Sequence, residues 1–323
     1  MTLARMISAI MIFCVLAVGW ARDIPKRKIV FNYSIHDTRL WQEQDQSWWG
    51  KLLKLFQGEK SPPVIQPLGL DAKDKLLAVV DPHTGGVHLF SMQGRKHVFI
   101  PFNSELKQAP PVDIVVGKRD TLYVVGGNPQ RLWLWHKGMD GFESRPLDFT
   151  PRRVTGLTYI NNTFLMVDTP LHIIYRVSLS GKLLQKGAQR GKNLRGLNYP
   201  TFIAVSDSLV YITDTMNFRV VGCLIDSLTN WLHMIGGPGV MSGQLNRPKG
   251  VAVDASGAIY IVDASFDNVQ IFSPEGRLLD VFGRSGHGPG EFSGPTDIAV
   301  DGNWIYVSDT LNHCVKVFQI IYE

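Results

Sequence analysis

Residues 248–263 read PKGVAVDASGAIYIVD, and residues 295–309 read PTDIAVDGNWIYVSD. Each begins on proline, runs through a short apolar strand, turns on polar or Gly residues, and enters a second apolar strand that ends in Asp. The same grammar runs backwards through the chain: PTFIAVSDSLVYITD from Pro200, PRRVTGLTYINNTFLMVD from Pro151, PVDIVVGKRDTLYVVG from Pro111 and PLGLDAKDKLLAVVD from Pro67. The prolines are 44, 40, 49, 48 and 47 residues apart. Six residues beyond the end of each second strand stand Val87, Leu132, Ile174, Val220, Val269 and Val315, which open a third strand. A fourth follows a turn, most clearly in GRLLDVFG, residues 276–283. Tandem four-stranded units of this length predict an all-β, six-bladed β-propeller of antiparallel blades. Runs such as AVV and IYIV hardly alternate, because neighbouring blades cover both faces of each sheet.

The sixth unit reaches Glu323 with three strands, leaving an edge open to pairing with other chains. Residues 27–33, RKIVFNY, resemble the fourth strand GRLLDVF, so an N-terminal strand is expected to complete the last blade. Between it and Pro67, Trp49, Leu52, Leu53 and Phe56 form a helical stripe ended by Gly58. This predicts one short helical insert packed on the loop-rich face, with Lys51 and Lys54 opposite the stripe.

Ahead of these, Arg5, the apolar run Met6–Val18 and Gly19-Trp20-Ala21 have the form of a secretion signal cleaved after Ala21. The expected division is residues 1–21 as signal peptide, 22–66 as clasp strand and helical insert, and 67–323 as propeller. The mature chain would carry no transmembrane span and reside in the periplasm or outside the cell. Cleavage removes one charged side chain, Arg5, from a formal net charge of +5, so the protein stays mildly basic. Cys223 and Cys314 fall in non-adjacent blades, and no disulfide is expected between them. No Cys-x-x-Cys-His occurs, which excludes covalent c-type haem.

Asp214-Thr-Met-Asn217-Phe-Arg219-Val220 carries the complete pattern Asp-x-x-Asn-x-Arg-Val, and Asp309, Asn312 and Val315 keep most of it, with Cys314 at the Arg position. Blade 5 has Asp263 and Val269 with Phe266 at the Asn position, and the first three blades are more degenerate. With the junction GRSGHGPGEFSGP, residues 283–295, these residues resemble the NHL-repeat family of six-bladed propellers over roughly residues 27–323. The lead-in with its Trp-Trp-x-Lys-Leu-Leu insert looks like exported bacterial members of unassigned activity. The resemblance implies the fold strongly and function weakly, because propellers host many activities.

The recurrent Asp residues are expected to hold turn backbone N–H groups rather than a metal. His83, His172 and His313 lie in second-to-third-strand turns. Some NHL-like propellers are lyases with a histidine-bound metal, so these three are the alternative ligand set for Zn²⁺, or Ca²⁺ with carboxylates; the preferred expectation is no metal and no cofactor. Lys182, Lys186, Arg190, Lys192 and Arg195 form an acid-free basic run between blades 3 and 4, and Arg152 and Lys249 are the charged residues at the channel mouth. Trp133 and Trp135 read as blade packing. His287 and Glu291 are the only groups of the glycine-rich junction beyond what its turns need. No serine triad, paired-carboxylate or Gly-Lys-Ser/Thr arrangement rises above chance in the sequence. The resulting expectation is a monomeric, exported, non-enzymatic propeller that binds a protein or an anionic polymer through Arg152, Arg190, Lys192, Arg195, Lys249, His287 and Glu291. Export argues against nucleic acid. The alternative is a metal-assisted lyase or hydrolase acting at the channel mouth.

Overall fold

Each repeat folds into a four-stranded antiparallel sheet, and six such sheets form the ring in a computed structural model that describes residues 24–41, 62–193, 196–228 and 230–322. The expected signal peptide, the expected helical stripe from Trp49 to Phe56, and Arg195 lie outside the described residues. Blade 1 comprises β2–β5 (Leu70–Lys73, Leu76–Asp81, Gly86–Ser91, Lys96–Pro101) and blade 2 β6–β9 (Ile114–Val116, Leu122–Gly126, Arg131–Trp135, Glu143–Arg145). Blade 3 is β10–β13 (Val154–Ile160, Thr163–Asp168, Ile173–Ser178, Leu183–Gly187) and blade 4 β14–β17 (Pro200–Ser206, Leu209–Asp214, Arg219–Leu224, Trp231–Gly236). Blade 5 is β18–β21 (Pro248–Val253, Ile259–Asp263, Asn268–Phe272, Leu278–Phe282). A short helix, α1 (Ser104–Gln108), stands in the crossover from blade 1 to blade 2, where the Asn103 side chain accepts the Leu106 N–H at 3.0 Å and caps it. No helix among the described residues is long and apolar enough to cross a membrane.

Blade 6 takes three strands from the C-terminus, β22–β24 (Pro295–Asp301, Trp304–Asp309, Cys314–Tyr322), and its fourth from the N-terminus, β1 (Arg27–Ile35). β1 runs antiparallel to β24 from Arg27 opposite Tyr322 to Ile35 opposite Val315, two residues longer than the sequence comparison indicates. Arg27 locks the start of this strand. Its guanidinium is buried against the Asp254 carboxylate, donates to Tyr260 Oη at 2.7 Å and to Ser256 Oγ at 3.0 Å, and packs on the Tyr322 ring. The clasp therefore ties blade 6 to blade 5 as well as closing the ring.

The core lies between blades. One cluster joins Tyr260, Val262 and Ile271 of blade 5 to Phe292, Ile305, Val307 and Phe318 at blade 6, and five similar clusters complete the ring. Both faces of each sheet are covered, as the unbroken apolar runs require; each fully buried Val, Ile or Phe contributes about 1.5–3 kcal/mol. Towards the axis the inner strands crowd. A side chain at Gly250 would stand 2.5 Å from the Asp297 Cα, and one at Gly69 2.5 Å from the Asp113 Cα. Glycine two residues after the blade proline thus faces aspartate at the same position in the next blade. Cys223 and Cys314 are buried free thiols.

Candidate ligand-binding face and central channel

Second strands end, and first strands begin, on one face of the ring. The recurrent Asp residues organise it. Asp81 accepts the N–H groups of Ile65 and Gln66 (2.7 and 3.1 Å), Asp168 those of Arg152 and Arg153 (2.7 and 3.2 Å), and Asp263 those of Asn246 and Arg247 (2.7 and 3.0 Å). Asp214 and Asp309 take the Asn198 and Ser293 N–H groups at 2.6 and 2.7 Å. Each carboxylate thereby pins the chain as it arrives from the preceding blade. A threonine after the Asp adds a staple to the next blade: Thr215 Oγ1 donates to Pro248 O at 2.8 Å, and Thr310 Oγ1 to Pro67 O at 2.6 Å across the closure.

The complete pattern in blade 4 shows what its Asn and Arg do. Arg219 Nε donates to Asp214 Oδ2 at 2.8 Å, and its Nη2 donates to Asn193 O and Gly196 O at 2.9 and 3.0 Å. Asn217 Nδ2 donates to the same carboxylate and to Gly191 O. The crossover from blade 3, residues 188–199, is thus held from beneath. In other blades the side chain seven residues after the Asp takes over. His88 Nε2 stands 3.7 Å from Asp81, Lys316 Nζ 3.6 Å from Asp309, and Gln270 holds Gly243 N and Gln244 O at 2.8 Å each. This substitution is invisible to a motif search because the residue type changes from blade to blade.

The channel interior carries three carboxylates. Asp71 Oδ2 accepts the Val116 N–H at 2.7 Å, Asp113 Oδ2 the Leu157 N–H at 2.7 Å, and Asp297 Oδ2 the Leu70 N–H at 2.8 Å. Each bond crosses to the next blade. Burial is the chief cause that pushes these acids up, Asp71 to about 7, Asp297 to about 8 and Asp113 well above the usual carboxylate range; their mutual repulsion adds to it. They border a cavity of about 310 Å³ lined by the inner strands of all six blades, with Lys73, Tyr159 and Val253 farther along it. The Asp-x-x-Asn-x-Arg pattern holds no trace of this cluster, which ring closure assembles from distant residues.

The basic residues separate cleanly from these acids. Arg152 and Arg153 follow Pro151, Arg190 and Lys192 project from the crossover into blade 4, and Arg247 and Lys249 flank Pro248; all but the half-buried Lys249 are exposed. None of the six makes a salt bridge among the described residues. Burial, and then the neighbouring Arg247, push the Lys249 ammonium down from its ordinary value. The crossovers at residues 188–199 and 237–247 hold no Asp or Glu. Lys182 and Lys186 lie on and beside the outer strand of blade 3. Arg153 and Arg247 join the cationic set although channel-mouth position alone selects only Arg152 and Lys249; their place within two residues of the blade prolines is the signal that finds them.

The histidines do not converge. His83 is exposed in blade 1 and its N–H is held by Asp81 at 3.1 Å. His172 is buried, its Nδ1 accepts the Tyr199 N–H at 2.9 Å, and burial followed by the Arg190 charge lowers its pKa. His313 Nδ1 donates to Ile65 O at 2.6 Å. The described residues contain no group of three His, Cys, Asp or Glu side chains arranged to hold a metal ion. At the glycine-rich junction, His287 meets Asn312, and Glu291 accepts Gly288 N at 2.9 Å and Arg284 Nε at 2.9 Å. Glu291 braces its own loop, and His287 ties that loop to the second-to-third-strand turn of blade 6. Trp133 and Trp135 are buried and donate within blade 2, to Gly126 O and Met139 O.

Comparison with known proteins agrees on architecture. Residues 247–320 match a family described as a 6-bladed beta-propeller. The chain is 33% identical over 84 residues to protein brain tumor of Drosophila melanogaster, a stretch covering 25% of this chain and 8% of that protein. A structural-genomics protein of unknown function from Bacteroides thetaiotaomicron superposes with a TM-score of 0.68 at 14% identity, over 92% of this chain and 77% of the other. An auxiliary nutrient binding protein from the same organism gives 0.65 at 12% identity, over 91% and 77%. A catalytically inactive form of virginiamycin B lyase from Staphylococcus aureus, solved with quinupristin, gives 0.58 at 14% identity, over 92% and 100%. At these identities the structural likeness establishes the six-bladed propeller and leaves activity open.

Proposed function

We propose that this protein is an exported binding propeller that recognises a protein or an anionic polymer through the loop-rich face of blades 3–5. The observation that carries the reading is the set of six unneutralised cations on those loops, beside crossovers free of acids. Elsewhere on the same face Arg284 pairs with Glu291 and Arg131 with Glu105. A concentrated single-sign surface raises the local concentration of an oppositely charged partner and speeds its capture. Export rests on the signal-like residues 1–21, and the nutrient-binding neighbour supplies a precedent for a binding role on this fold.

Reversing Arg190, Lys192 and Arg247 to Glu is expected to reduce capture of an anionic partner from the exported fraction at least about tenfold, and raising the salt should do the same to the native protein. Capture that resists both changes would contradict the reading. A metal assay on purified protein addresses the enzymatic rival, which stoichiometric Zn²⁺ or Ca²⁺ would favour.

A further inference from the structure

The cationic loops also leave apolar side chains in water. Tyr199 is 45% exposed, Met216 50%, Val240 81% and Met241 70%. They lie on the two crossovers flanking blade 4 and on its second-to-third-strand turn. The loops under them are braced: Met216 N donates to Asn198 O at 3.0 Å, Tyr199 packs edge-on against His172, and Arg219 and Gln270 hold the two crossovers. A surface fixed in this way loses little freedom when covered. Met and Tyr are suited to it, one adaptable and the other a large amphipathic contact.

We infer, resting on the binding role proposed above, that this sector seats an acidic peptide segment of a partner protein, with Asp or Glu side chains meeting the cations and apolar side chains covering Tyr199, Met216 and Met241. Two features select this occupant. An acidic polysaccharide or polyphosphate neutralises the cations but brings no apolar side chains to the exposed Met and Tyr. An anionic bilayer supplies both chemistries, but it is broad and flat, whereas Lys249 is half-buried beside Arg247 at the channel mouth.

The test is fluorescence anisotropy on the full chain with a labelled peptide of interspersed Glu and Leu. Labelled polyglutamate, a labelled heparin fragment and phosphatidylglycerol vesicles serve as competing probes. The Glu–Leu peptide is expected to bind at least about tenfold more tightly than polyglutamate. Tyr199→Ser with Met216→Ser should remove that advantage, Arg247→Glu with Lys249→Glu should abolish binding, and Leu311→Ser, exposed on the same face at blade 6, should change nothing. Thermal unfolding of every variant establishes that it is folded. Equal binding of polyglutamate or heparin, preference for vesicles, indifference to the Tyr199 and Met216 changes, or absence of peptide binding would each overturn the inference. The anion-binding reading would survive those results as long as charge reversal still blocks capture from the exported fraction, so the two can fail separately.

Discussion

Arg219 shows how much of a propeller face can hang on one side chain. Its guanidinium, 7% exposed, satisfies the buried Asp214 carboxylate and two carbonyls of the crossover above. Arg219→Ala leaves the buried Asp214 carboxylate without its cation and takes the donor from both carbonyls, and the expected loss is about 3–5 kcal/mol in chemical denaturation. Arg219→Lys should recover only part of it, because a point charge cannot serve three acceptors in a planar fork. Asp297 makes the opposite kind of prediction. Its pKa lies above the unfolded carboxylate value, so the neutral form favours the folded state and stability falls as pH rises through about 8. Asp297→Asn should flatten the loss of melting temperature between about pH 5 and pH 8 relative to the native protein. An unchanged slope would remove Asp297 as its cause. His97 works on the acid side. It is buried beside His88, burial and that neighbour push its pKa well below the usual value, and stability is lost as pH falls below the ordinary histidine range.

Among the elements, β1 bears most directly on integrity. It covers the edge of β24 and carries Arg27 into the buried site formed by Asp254 and Tyr260. Arg27→Ala should cost about 3–5 kcal/mol by leaving Asp254 buried without its cation. Thr310→Val removes the hydroxyl staple across the closure and should cost about 1–3 kcal/mol. Equilibrium unfolding checks both, and a loss below 0.5 kcal/mol for Arg27→Ala, on the order of an exposed pair, would deny the clasp its anchoring role. The clasp was legible in sequence because RKIVFNY repeats the pattern of GRLLDVF, and its two extra residues were not, since Ser34 and Ile35 extend beyond the copied segment. The blade frame was legible because proline and aspartate recur at fixed places for fixed reasons: each aspartate must hold incoming backbone N–H groups. The partners seven residues further on were hidden, because His88, Gln270 and Lys316 do related jobs with unrelated chemistry. Asp71, Asp113 and Asp297 were hidden for a different reason: Asp297 meets Leu70, 227 residues away, and only ring closure creates that contact.

At the scale of the molecule, charge is arranged radially and by sector. Carboxylates occupy the channel, where burial keeps them partly neutral, while uncompensated cations stand on the loops of blades 3–5 beside exposed Tyr and Met. The basic run read in the sequence contributes Arg190 and Lys192 to this face, and Lys182 and Lys186 to the outer part of blade 3, so linear clustering overstates the patch at one end and misses Arg153 and Arg247 at the other. The proposed binding role requires that this sector, and not the opposite face, meets the partner. A photoreactive residue placed at Met216, or at Ser180 in the exposed third-to-fourth-strand turn of blade 3 on the opposite face, tests it in the cells that make the protein. Adducts from position 216 that vanish on reversal of Arg247 and Lys249, with none from position 180, are the predicted result; adducts from position 180 alone, or from both equally, would contradict it.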